Sequence, residues 1–139
     1  MKLSEVLQKV ISLSEEIDAY WSEELPKRFP DYPFLNGKEE PSPPPQVQQL
    51  KEFMDSLDPE LIYRMILVMF LGRGDFGVDD LNKEYSDIKT KFEKPEYASR
   101  QMEGKAVLAE YLTDGLAILQ DAGIDVDELG ALNFQSVVR

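Results

Sequence analysis

The chain contains no cysteine and no histidine among its 139 residues. Their absence excludes disulfides, thiolate nucleophiles, and the Ser-His and Cys-His pairs of common hydrolases. It also removes the usual zinc and haem ligands and any imidazole pH switch. We therefore predict no catalytic residues, no metal site and no cofactor of these classes.

Basic residues are few. The sequence has 15 lysines and arginines against 27 acids, which gives a formal net charge of −12. Such a balance repels phosphate backbones and anionic lipid, so we expect neither nucleic-acid binding nor membrane attachment. An acidic mimic of nucleic acid, which would occupy a basic protein groove, stays open as an alternative.

Only one long apolar run is present. Between Leu61 and Leu71 ten of eleven residues are apolar or aromatic, and Arg64 is the interruption. At 1.5 Å per residue the run spans roughly 17 Å, too short for a bilayer of about 30 Å. We predict a central helix that other helices surround, with Asp58 as cap, Pro59 in its first turn and Gly72 as its stop. Because no uninterrupted apolar stretch marks the N-terminus, we expect a cytoplasmic protein.

Apolar residues at helical spacing predict further amphipathic helices. Ser4 is the expected N-cap of the first helix and Pro26 its end, and Asp121-Ala122-Gly123 breaks the last long helix. These helices run from Ser4 to about Glu24, from about Gln46 to Leu57, from about Asp79 to a point before Pro95, and from roughly Gly104 to Gln120, with one or two more turns over Asp125 to Leu132. The predicted fold is all-α, a bundle of about five helices in a single domain over residues 1–139.

Residues 26–45 form a long proline-rich connection that holds seven of the nine prolines. Proline lacks the amide hydrogen that regular helix and sheet require, so this segment reads as a loop. Interleaved apolar side chains predict that its first half packs over the bundle: Phe29, Tyr32, Phe34 and Leu35. Its Pro43-Pro44-Pro45 end should be exposed and extended, and residues 133–139 should fray.

Two short blocks about thirty residues apart, Leu71-Gly72-Arg73-Gly74-Asp75-Phe76 and 108–116 (LAEYLTDGL), carry a family resemblance. Together they resemble the signature of a family of uncharacterised bacterial proteins, one of the domain-of-unknown-function families. The similar region covers roughly Leu57 to Leu119. The resemblance implies a small bacterial, cytoplasmic domain and carries no catalytic residue.

The first block suggests a structural role. Arg73-Gly74-Asp75 matches an integrin-binding tripeptide, but glycines at a helix exit and an aspartate that bonds turn amides explain it better. We predict that the Arg73 guanidinium donates two hydrogen bonds to the carboxylate of Glu110 or Asp114 on the last helix and so links the turn to the bundle. The alternative is an anion site at Arg73, which the neighbouring acids oppose.

Carboxylates are the catalytic groups that remain. A helical Mg²⁺-dependent phosphohydrolase needs two Glu-x-x-Glu/Asp pairs on facing helices. Glu84 and Asp87 form one such pair, and no matching partner appears, because Glu93 to Glu96 contains Pro95. Asp125-Val126-Asp127 begins like the calcium-binding loop of an EF-hand. The loop requires a glutamate at its twelfth position, where this sequence has Ser136, so we predict no EF-hand.

These exclusions lead to an interaction or regulatory module without enzymatic activity. The expected partner is another protein or a second copy of the chain, because Tyr20-Trp21 could pack on a neighbour. A carboxylate-based metal-dependent hydrolase of a small phosphorylated molecule stays as the alternative from another class.

Overall fold

A computed structural model describes residues 1–28 and 42–129 of the chain. Within these ranges every regular element is helical, which confirms the predicted all-α class. The α-helices are α1 (Leu3–Ala19), α2 (Leu25–Arg28), α3 (Pro45–Asp55), α4 (Pro59–Arg73), α5 (Leu81–Lys91), α6 (Pro95–Glu103) and α7 (Leu108–Asp121). A π-helical turn (Tyr20–Glu24) joins α1 to α2, and 3₁₀ turns cover Val78–Asp80 and Val126–Glu128.

Helix α4 is the centre of the bundle, as the apolar run predicts. It contributes nine buried residues to one continuous apolar cluster, and it packs against α1, α5, α6 and α7. Pro59 lies in the first turn, where its missing amide hydrogen costs nothing. Asp58 occupies the N-cap position, but its side chain makes no capping hydrogen bond, so this part of the prediction is wrong.

The predicted stop at Gly72 is also wrong, because α4 continues to Arg73. Gly74 ends it with a left-handed φ of 88°, a conformation that glycine adopts without a steric penalty. Gly72 has another role, at the crossing of α4 and α7.

That crossing is the most extensive helix contact of the fold. A Cβ atom on Gly72 would overlap the carbonyl oxygen of Tyr111 and lie 2.6 Å from the backbone nitrogen of Gly115. A Cβ atom on Gly115 would overlap the carbonyl oxygen of Val68 and lie 2.8 Å from its Cγ1 atom. The two backbones therefore touch directly, and only hydrogen side chains fit between them.

The N-terminus of α1 is capped from the far end of the chain. Ser4 is not the N-cap, which is Lys2. Instead the amide of Ser4 donates to Oδ1 of Asp127 at 2.7 Å and its hydroxyl donates to Oδ2 at 2.8 Å. A carboxylate at a helix N-terminus satisfies a free amide and opposes the positive end of the helix dipole.

Three further elements differ from the predicted ones, two of them at prolines. The helix missed by the sequence analysis, α6, begins at Pro95, which was interpreted as a breaker but lies in the first turn. Gly104 ends α6, so the last long helix begins at Leu108 rather than near Gly104. Helical structure continues past Pro26 to Arg28 because the wider π turn before it gives the proline ring room.

The end of α7 agrees with the sequence, since Gly123 adopts a φ of 74°. The predicted packing of Phe29, Tyr32, Phe34 and Leu35 and the fraying of residues 133–139 lie outside the described residues. No helix of the described part is both long enough and apolar enough to span a membrane.

Candidate functional site

Arg73 is the first of the predicted site residues, and its partner differs from the prediction. Its Nη2 atom donates to Oδ2 of Asp75 at 2.6 Å and its Nε atom to the same oxygen at 3.0 Å. The guanidinium also lies 4.9 Å from the centre of the Phe70 ring. This bond to Asp75 raises the pKa of Arg73. The predicted bond from Arg73 to the last helix is wrong. The left-handed turn at Gly74 places Asp75 next to the Arg73 guanidinium, which binds it instead.

Glu110 and Asp114 lie exposed on α7, and neither forms an ion pair with another described residue. The two sequence blocks nevertheless meet, through Gly72 and Gly115 at the crossing of α4 and α7. The carboxylate of Asp75 offsets the charge of the Arg73 guanidinium and so weakens its attraction for an external anion. The blocks thus join the helices through backbone contact instead of an ion pair.

The carboxylates named for metal chemistry do not converge. Within residues 1–28 and 42–129, no group of three or more acidic side chains is arranged to hold a metal ion. Beside Glu84 and Asp87 on α5, Tyr85 and Lys89 donate to Glu60 of α4, the latter at 2.9 Å. These bonds lower the pKa of Glu60, and the bond from Tyr85 has the largest effect. The cluster joins α5 to the central helix.

A groove that the sequence did not predict lies between three segments that are distant along the chain. We call it the α1–α3 groove; it has a volume of about 690 Å³ and lies between the end of α1 with its π turn, the start of α3, and the turn from α6 to α7. Its apolar lining includes Ile17, Trp21, Val47, Leu50, Ala106 and Leu108. The volume is within the range of ligand pockets, about 300–1,000 Å³.

The rim of the groove exposes large apolar side chains. Trp21 is 37% exposed and Val47 is 39% exposed, and both line the groove. Trp21 packs edge-on against Tyr20, with ring centres 5.1 Å apart, and the Tyr20 hydroxyl donates to the Ser42 carbonyl at 2.8 Å. The indole is therefore held at the rim, on a π turn of the kind often found at functional sites.

Four charged side chains also line the groove: Asp18, Lys51, Glu103 and Lys105. Lys51 pairs with Asp55 at 2.9 Å, and Glu103 accepts from Arg100 at 3.0 Å. Burial raises the pKa of Glu103, although Arg100 opposes this. Burial also raises the pKa of Asp18, and repulsion by Glu15 adds to the effect.

The sequence held one indication of this site. The Tyr20-Trp21 pair predicts a surface that packs on a neighbour. The groove itself is formed by three segments that are distant along the chain, so the pair alone does not predict it. Helical spacing shows which face of each segment is apolar and does not show which faces remain uncovered.

The fold and its groove define the class of this protein: it is all-α and has an apolar groove on its surface. The chain belongs to the DUF3775 family of proteins of unknown function, whose sequence model matches residues 47–120, more than half of the chain. The match extends the expected region, Leu57 to Leu119, to include most of α3; the bacterial origin stays a prediction. A search of curated proteins and a search of solved structures each found no match.

The matched region supplies one side of the groove only. Val47, Leu50 and the turn from α6 to α7 lie inside residues 47–120, whereas the α1 side with Asp18 and Trp21 lies before them. The groove is thus shared between the family region and the N-terminal helix.

Proposed function

We propose that this protein is an interaction module that holds a segment of a partner protein in the α1–α3 groove. The observation that carries the proposal is the apolar lining together with the exposed side chains of Trp21 and Val47. Concave apolar surface with a few polar groups is the usual form of a binding site in proteins. Because the exposed side chains of Trp21 and Val47 stand on two separate segments of the lining, a protein segment that covers both suits the surface better than a small molecule.

The rim can supply useful binding energy. A tryptophan buries about 150–250 Å² when fully covered. Its 37% exposed share is therefore roughly 55–90 Å², worth about 1.4–2.3 kcal/mol at 25 cal/mol per Å². Tryptophan also anchors many protein interfaces through its large, rigid ring. The proposal keeps the cytoplasmic location expected from the sequence.

The test compares two matched variants. Partners are purified from the source organism on the full chain, and their affinity is then measured by calorimetry for wild type, Val47→Gln and Ile118→Gln. Val47 and Ile118 are exposed to similar extents, 39% and 37%, and both lie on helices, but only Val47 lines the groove.

Val47→Gln should weaken binding about threefold to tenfold, because it replaces part of the apolar contact with a polar group. Ile118→Gln should leave the affinity unchanged. Equal binding by both variants and wild type would contradict the groove as the binding surface. A purification that yields no partner, beside turnover in a substrate screen, would favour the hydrolase alternative.

A further inference from the structure

The α1 side of the groove carries a negative charge that the fold does not neutralise. The carboxylate of Asp18 pairs with no residue of the described part. The Ser22 hydroxyl donates to the backbone carbonyl of Asp18, at 2.9 Å, and leaves the carboxylate untouched. Burial and the neighbouring Glu15 both disfavour the ionised form of Asp18. A positive charge placed beside Asp18 would favour the ionised carboxylate and so oppose both effects.

The charged residues around Asp18 in the sequence are also negative. Residues 10–26 contain five acids and no base: Glu15, Glu16, Asp18, Glu23 and Glu24. On the opposite side Lys51 is held by Asp55, and Glu103 is held by Arg100. Lys105 lines that side and forms no ion pair with a described residue. The charge of the groove is therefore divided, with the negative side on α1.

A second polar group lies next to Asp18. Ser14 lines the groove, is 4% exposed, and its hydroxyl makes no hydrogen bond with any other residue of the described part. Ser14 and Asp18 are four residues apart, so they share one face of α1, and Ile17 and Trp21 form a parallel apolar pair. The α1 side thus offers a polar stripe beside an apolar one.

From this arrangement we propose that the partner segment is a cationic amphipathic peptide segment whose apolar face covers Trp21 and Val47 and whose lysine or arginine pairs with Asp18. This inference rests on the proposed function. The hydroxyl of Ser14, which lines the groove, can accept a further hydrogen bond from the same cation. A second copy of the chain fits poorly, because a symmetric contact would bring the two acidic α1 sides together.

The experiment uses Trp21, the sole tryptophan of the chain, as the reporter. Three synthetic helical peptides without tryptophan or tyrosine share one pattern of leucines and carry lysine, glutamine or glutamate at the polar positions. Each is titrated into the full chain while the emission of Trp21 is followed. The variants are Asp18→Asn and Asp87→Asn, the latter removing an exposed acid on α5.

The lysine peptide should shift the Trp21 emission and bind at least tenfold more tightly than the glutamate peptide. Asp18→Asn should weaken the lysine peptide about tenfold, since a hydrogen-bonded charge pair is lost. Asp87→Asn has the same effect on net charge and should leave the affinity nearly unchanged. That difference separates a pair at Asp18 from general attraction to an acidic protein.

Equal binding of the three peptides, with no effect of Asp18→Asn, would overturn the cationic partner and leave the groove as a docking surface. If no peptide changes the Trp21 emission and Val47→Gln leaves partner binding intact, the proposed function fails as well. Dimerisation in sedimentation experiments that Val47→Gln abolishes would identify a second copy as the occupant and overturn the inference.

Discussion

The direct backbone contact between α4 and α7 makes a sharp prediction about two glycines. Replacing glycine by alanine inside a helix normally stabilises it, by about 1 kcal/mol. At Gly72 the new Cβ atom would overlap the carbonyl oxygen of Tyr111, and at Gly115 that of Val68. Both neighbours are backbone atoms of packed helices, so they cannot move aside as the end of a flexible side chain can.

We therefore expect Gly72→Ala and Gly115→Ala to destabilise the fold, reversing the usual sign. Overpacking of a close contact costs about 1–3 kcal/mol, and more where backbone must separate. After the helix-propensity gain of about 1 kcal/mol is subtracted, we expect a net loss of about 2 kcal/mol, and a larger one where the backbones separate. A loss of this size lowers the melting temperature by roughly 6 °C in a chain of this length. Unfolding in urea, followed by circular dichroism, measures the change.

Gly77→Ala is the matched control. Gly77 has a φ of −103°, which alanine adopts freely, and a Cβ atom there would meet nothing within 4 Å. This variant should equal wild type or gain up to about 1 kcal/mol, because alanine reduces the freedom of the unfolded chain. If Gly72→Ala and Gly115→Ala also stayed within about 0.5 kcal/mol of wild type, the surface-substitution range, the close approach of the two helices would be refuted.

Two other substitutions test the charged groups. Arg73→Met should lower the free energy of unfolding by about 1 kcal/mol or less, because the pair with Asp75 is partly exposed, with side chains 30% and 40% accessible, and such pairs contribute little. A much larger loss in urea unfolding would indicate that Arg73 binds α7. Asp18→Asn should stabilise the fold at pH 7, because the raised pKa of Asp18 means that ionisation opposes folding. This gain should shrink as the pH falls through the range where aspartates take up protons, and a gain that persisted near pH 3, below the ordinary aspartate pKa of about 3.9, would contradict the burial of this carboxylate.

Much of the fold was predictable because helix formation depends on residues close together in the chain. The run from Leu61 to Leu71 predicted a central buried helix, and α4 has that position. Helical spacing likewise predicted α5, with Leu81 and Ile88 buried on one face. Helix ends were less predictable, since Pro95 can either break a helix or begin one, and the sequence alone does not decide between them.

The amino-acid sequence by itself determined that this protein is helical, acidic and without thiol or imidazole chemistry, because composition and local spacing are enough for these properties. Tertiary structure alone decided the contacts between distant segments. It made Gly72 a contact residue, brought Asp127 to Ser4 across 123 positions, and assembled the α1–α3 groove from three parts of the chain. These depend on which faces meet when the helices pack, and no single segment contains that information.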